Sequence, residues 1–118
     1  MAKTIMIVDD EADIRKTVKS ILLKNGFKVI TANNADDCLK KLKKVKPALI
    51  LLDIMMPGTP VKKAIKKIKN VKIAYLTVVR AAEAEKEELV KQKNIVAFIQ
   101  KPFDVDDLVK KVKKIVGK

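Results

Sequence analysis

The chain has 118 residues, 48% of them apolar, with 27 basic residues against 14 acidic ones and a formal net charge of +13. That is one domain of ordinary size with enough apolar side chains for a core, which excludes an intrinsically disordered segment. No apolar run approaches the roughly 18 residues that cross a bilayer, and no secretory leader is legible, so a cytoplasmic protein without membrane contact is expected.

Thr4 to Val8 is rich in β-formers and stops at Asp9-Asp10-Glu11. Ile14, Val18, Ile21 and Leu22 then recur at helical spacing, and Asn25-Gly26 closes that helix. Phe27 to Thr31 reads as a second, more alternating strand. Asn33 and Asn34 can cap a second helix with Ala35, Leu39, Leu42 and Val45 on one face, and Lys46-Pro47 stops it. The lone cysteine, Cys38, falls among these apolar residues, where packing is its expected role. Ala48 to Leu52 shows no alternation and suits a strand buried on both faces; it ends at Asp53, with Pro57-Gly58 shortly after.

A third helix after Pro60 carries Val61, Ile65 and Ile68. Val71 to Leu76 is a fourth strand ending at Thr77, and Ala81 to Gln92 predicts a weak helix whose only large apolar anchors are Leu89 and Val90. Ile95 to Ile99 reads as a fifth, buried strand in which Val96 and Phe98 alternate, leading to Lys101-Pro102. Asp104 starts a last helix with Val105, Leu108, Val109, Val112 and Val116 on its apolar face.

Strands alternating with helices in this way predict an α/β fold, a doubly wound five-stranded parallel sheet with five helices distributed over both faces. The flavodoxin-like strand order 2-1-3-4-5 makes strands 1 and 3 central neighbours. Asp9, Asp10 and Asp53 are then expected to meet at the carboxyl end of the sheet, facing the same crevice as Thr77 and Lys101. Asp9 or Asp10 could equally cap the first helix, and Asp53 a turn.

Three carboxylates held that close repel one another unless a cation joins them, and Mg²⁺ suits an oxygen-only site that supplies few carboxylates. A lysine and a hydroxyl converging on the same point suit the oxygens of a phosphoryl group, toward which an aspartate can act as nucleophile. The lysines sit between apolar residues at helical spacing and read as solvated helix faces. Only two of the 27 basic residues are arginine and only four residues are aromatic, which is thin equipment for reading nucleic acid.

The pattern Asp9-Asp10 in IMIVDDE, Asp53 in LLDIMMPG, Thr77 in YLT and Lys101 in FIQKPF resembles the response-regulator receiver domain of two-component signalling, in that order and over the entire chain. The resemblance implies that Asp53 accepts a phosphoryl group from the phosphohistidine of a sensor histidine kinase or phosphotransfer protein. It implies that Asp9, Asp10 and Asp53 hold Mg²⁺ with the backbone carbonyl of Met55, and that Thr77 and Lys101 contact the phosphoryl oxygens. Phe98 matches the switch aromatic, although a plain core role fits it as well, and Lys101-Pro102 matches a cis peptide. The signal would leave through the face of helix 4, strand 5 and helix 5 to a downstream protein, from a monomer or weak dimer. Residues 1–118 are expected to be one receiver domain without an output domain.

The chain departs from the family's pattern at Val78, where many receivers have a small residue; a β-branched side chain there is expected to narrow access to the site. The segment Thr59-Pro60-Val61 replaces the usual Asp-Gly before helix 3. Two alternatives from other classes are a Mg²⁺-dependent phosphohydrolase of similar fold and a basic nucleic-acid-binding module.

Overall fold

The computed structural model describes residues 2–56, 60–86 and 88–117. Five strands, β1 (Thr4–Val8), β2 (Lys28–Ala32), β3 (Leu49–Leu52), β4 (Lys72–Thr77) and β5 (Ile95–Gln100), alternate with five helices, α1 (Ala12–Lys24), α2 (Ala35–Leu42), α3 (Val61–Lys66), α4 (Ala81–Lys86) and α5 (Val105–Val116). The strands form one parallel sheet in the order β2-β1-β3-β4-β5, as the sequence predicts.

All four residues of β3 are buried, because helices cover both of its faces. One face packs Met6, Val8, Ile50, Leu52, Ile73 and Tyr75 under α2, α3 and α4. The other packs Ile5, Ile7, Leu49, Leu51, Ala74 and Leu76 under α1 and α5. Cys38 lies buried in the first of these clusters, in the packing role expected of it.

The register aligns the strand ends. Val8 pairs with Leu52, and the ladder continues one step further, the Asp53 N–H donating to the Val8 carbonyl at 3.0 Å and that of Asp9 to the Ala32 carbonyl at 3.2 Å. Likewise the Lys101 N–H donates to the Thr77 carbonyl at 2.7 Å. Asp9, Asp53, Thr77 and Lys101 are therefore set side by side by backbone hydrogen bonding along one rim.

Several boundaries differ from expectation. β2 starts one residue later than Phe27, which is buried in the bend before it. Helix α2 stops at Leu42, so Val45 lies beyond it and is 38% exposed instead of sharing its apolar face. Ile68 is buried from the turn after α3. The weak fourth helix ends at Lys86, and the chain reverses through Glu88 at φ +59°. Leu89 is buried from that turn, its N–H donating to the Ala84 carbonyl, so it anchors the chain without belonging to the helix. Val105 starts α5 off the buried face, and Val96 is exposed, because β5 is an edge strand and not a fully buried one. Pro57-Gly58 and Thr59 lie outside the described residues.

Candidate functional site

Each of three strands ends in a residue whose side-chain oxygen accepts the N–H two positions on. Asp9 Oδ1 accepts from Glu11 N at 3.0 Å after β1, Asp53 Oδ1 from Met55 N at 3.0 Å after β3, and Thr77 Oγ1 from Val79 N at 3.3 Å after β4. This local turn is what short oxygen-bearing side chains do where a strand lets go of its ladder. Repeated at the ends of three strands, it orients all three side chains over the same rim. Asp9 thus lines the crevice and closes the turn before α1, but neither it nor Asp10 caps that helix: its N-cap is Glu11, and no side chain caps it.

Asp9, Asp53 and Thr77 are buried polar residues, at 2%, 3% and 0% exposure of the whole residue, while Asp10 is open to solvent. Asp9, Asp10 and Asp53 each present a carboxylate oxygen within 4.8 Å of the others. Lys101 reaches over them from β5, its Nζ 2.7 Å from Asp9 Oδ2 and 3.5 Å from Asp53 Oδ2. The Thr77 hydroxyl hydrogen-bonds to the Asp53 carboxylate. Lys101-Pro102 is cis.

Burial pushes the Asp53 carboxyl above the ordinary carboxylate range. Hydrogen bonds from Thr77 and the Met55 N–H and the charge of Lys101 oppose this, and the charge of Asp9 adds to it. Burial works against the Lys101 ammonium too, but the hydrogen bond to Asp9 and the charges of Asp53, Asp9 and Glu11 outweigh it, so Lys101 is held more firmly protonated than a free lysine. With all three aspartates ionised, the site carries three negative charges against one close lysine. The remaining charge of minus two, presented by oxygen donors only, fits a hard divalent cation such as Mg²⁺.

Phe98 does not touch the carboxylates. It is half-buried on β5, its ring edge-on to Tyr75 with centroids 6.0 Å apart, and the buried Tyr75 hydroxyl donates to the Leu89 carbonyl at 2.6 Å. The Met55 side chain is 60% exposed; its backbone N–H is what meets Asp53. Val78 is 55% exposed at the rim, next to Thr77 in the chain. Arg15, on α1, was not legible as a site residue: its Nη1 donates to the Asp9 carbonyl at 2.7 Å and steadies the β1 end. No spacing rule announces a contact from a helix back to the preceding strand end.

The sequence matches the response regulator receiver domain family over residues 5–113. It is 34% identical to the chemotaxis protein CheY of Bacillus subtilis strain 168 over 120 residues, covering 99% of this chain and all of CheY. It is 36% identical to the phosphate regulon transcriptional regulatory protein PhoB of Escherichia coli K12 over 123 residues, covering 98% of this chain and 52% of PhoB. The chain thus spans about half the length of PhoB. Among solved structures, a CheY-like receiver domain protein from Methanospirillum hungatei JF-1 superposes with a TM-score of 0.84 at 38% identity, covering 97% of this chain and 94% of that one. The response regulator TrrA from Thermotoga maritima, in complex with Mg²⁺-BeF, gives 0.83 at 32% identity over 96% and 98%. Likeness of this extent, on a sheet of the expected order, makes the chain a member of the response regulator receiver domain family of two-component signalling.

Proposed function

We propose that Asp53 is the phosphoacceptor of this receiver. The observation that carries the reading is a buried carboxylate at the end of the central strand, hydrogen-bonded by a threonine hydroxyl and 3.5 Å from a lysine ammonium. A carboxylate oxygen of Asp53 attacks the phosphorus of a phosphohistidine on a sensor histidine kinase or phosphotransfer protein. The new P–O bond forms as the P–N bond breaks, and the imidazole nitrogen leaves with the electron pair. Lys101 and Thr77 donate to the phosphoryl oxygens, in line with their positions over Asp53, and stabilise charge as it shifts between donor and acceptor. Asp9, Asp10 and Asp53, with the Met55 carbonyl, would hold Mg²⁺, which when bound neutralises phosphoryl-oxygen charge. The Mg²⁺-BeF complex of TrrA, a fluoride of phosphoryl-like shape on a similar chain, supports this assignment.

Phosphorylation then works as a switch. Drawing the Thr77 hydroxyl toward the phosphoryl group withdraws it from its present hydrogen bonds, and Phe98, packed beside Tyr75, turns further in and alters the face of α4, β5 and α5 for a downstream protein. We read residues 1–118 as one cytoplasmic receiver domain whose chemistry is confined to its own phosphorylation and slow dephosphorylation. Likeness to receivers along the full chain leaves the phosphohydrolase and nucleic-acid readings without support.

The test is intact mass after incubation with Mg²⁺ and acetyl phosphate. The wild type gains one phosphoryl group, roughly 80 Da, and the adduct is lost in Asp53→Asn and with chelator. An adduct that persists in Asp53→Asn refutes the assignment.

A further inference from the structure

The positive charge of this protein is concentrated. Between Lys40 and Lys72 the sequence holds eleven lysines against one acidic residue, Asp53, so this segment carries +10 of the net +13. Asp53 is buried at the opposite, carboxyl end of the sheet and offers that surface no compensation. The segment holds the last turn of α2, then β3 and α3, and the two acidic residues of α2, Asp36 and Asp37, lie in its first turn, ahead of these lysines; the two helices pack beside each other on one face of the sheet.

Two adjoining grooves of about 250 and 420 Å³ open there, sharing Leu42 and Lys67 in their walls. Leu39, Leu42 and Val45 form the apolar floor; the first two are only partly buried, and Val45 is 38% exposed. Lys43, Lys46 and Lys67 stand around it, and none of the three is in an ion pair among the described residues. By contrast Lys41 is paired with Asp37 and Lys62 faces Glu88, so the lysines around the grooves belong to the uncompensated part of the segment.

We propose that the α2–α3 face docks an acidic amphipathic helical segment of a partner protein, seating its apolar side over Leu39, Leu42 and Val45 and its carboxylates on Lys43, Lys46 and Lys67. A row of unpaired ammonium groups selects an anionic partner. The apolar floor decides which kind. A phosphate backbone has no apolar groups to fill it, and a flat lipid surface cannot enter a concavity, whereas a helix with apolar residues at i, i+3, i+4 and i+7 presents a ridge that can. Lysine, a point charge without a planar fork, suits scattered carboxylates better than bidentate phosphate recognition. The groove lies near Asn70 and Val71, at the amino end of β4, so a bound segment leaves the Asp53 rim free.

The probe is a synthetic peptide of about 18 residues with leucine at those spacings and glutamate elsewhere, titrated into the ¹⁵N-labelled full chain. Saturable shifts confined to residues 39–46 and 66–71 are expected. Lys43→Glu with Lys67→Glu weakens binding at least about tenfold, and so does Val45→Asp, while Lys110→Glu with Lys114→Glu on α5 changes it less than about twofold. A glutamate homopolymer of equal charge binds at least about tenfold more weakly than the peptide. Equal binding of the homopolymer, an equal loss in the α5 pair, or tighter occupation of the same residues by duplex DNA or phosphatidylglycerol vesicles each overturns the proposal.

Discussion

Removing Lys101 tests the electrostatics of the site directly. The Lys101 side chain is 9% exposed and its partners Asp9 and Asp53 only 3% and 4%, so the contacts belong to the buried regime and not to that of surface pairs, which are worth about 0–1 kcal/mol. Lys101→Met keeps most of the stem's volume and leaves two buried carboxylates without their cation, which should cost about 3–5 kcal/mol. For a domain of this size that lowers Tm by roughly 10–20 °C. Urea unfolding at pH 7 with chelator present measures it.

Two further readings follow from the same cause. Mg²⁺ no longer competes with an ammonium group for the carboxylates, so it stabilises Lys101→Met more than the wild type at equal concentration. Losing the lysine charge also raises the Asp53 carboxyl further above the carboxylate range where it already lies. A carboxyl whose pKa is higher folded than unfolded favours the fold when protonated. The variant therefore gains stability as pH falls from 7 through that raised pKa and loses it again as pH rises. In the wild type the Lys101 contribution is present below its ordinary value of 10.5 and disappears only in alkali. A loss below about 1 kcal/mol, with Mg²⁺ responses alike in both proteins, would refute a lysine clamped between two buried carboxylates.

Val78→Ala, judged from the position of Val78 at the rim, shortens the lifetime of the phosphorylated state and speeds loading from acetyl phosphate; identical time courses by intact mass would show that Val78 does not gate the site. Cys38, whose thiol burial pushes up to about 11, should react with iodoacetamide in the folded state at pH 8 at least about a hundredfold more slowly than in urea. Asp104→Ala removes the acceptor for the Asp107 N–H at 3.0 Å and should cost about 1 kcal/mol by urea unfolding, with Asp104→Asn close to wild type.

What the residues determine alone is what depends on near neighbours. The unbroken apolar run of Leu49–Leu52 requires a doubly covered strand, and the caps at Asn34 and Asp104 hold the first turns of α2 and α5 where the residue types place them. The strand-ending positions of Asp9, Asp53 and Thr77 follow from apolar runs meeting oxygen-bearing side chains, and their orientation from turns spanning two residues. Tertiary structure decided the rest, because burial at an element's end depends on what arrives from elsewhere in the chain. Val45 and Val105 fit an apolar period but are exposed, Val45 because α2 stops at Leu42 before reaching it and Val105 because it opens α5 off the buried face, and Val96 is exposed because its strand is at the sheet edge. The fourth helix ends early because its few anchors come after the turn: Leu89 is buried, and its carbonyl is held by Tyr75 from the neighbouring strand. The Asn94 amide likewise donates to the Ile68 and Val71 carbonyls at 2.8 Å, tying the start of β5 to the chain leaving α3. Nor could local pattern show that Lys101 rests on Asp9, 92 residues away, or that Arg15 steadies the same strand end. Those contacts exist because a parallel sheet of order 2-1-3-4-5 brings the carboxyl ends of strands distant in sequence to one rim.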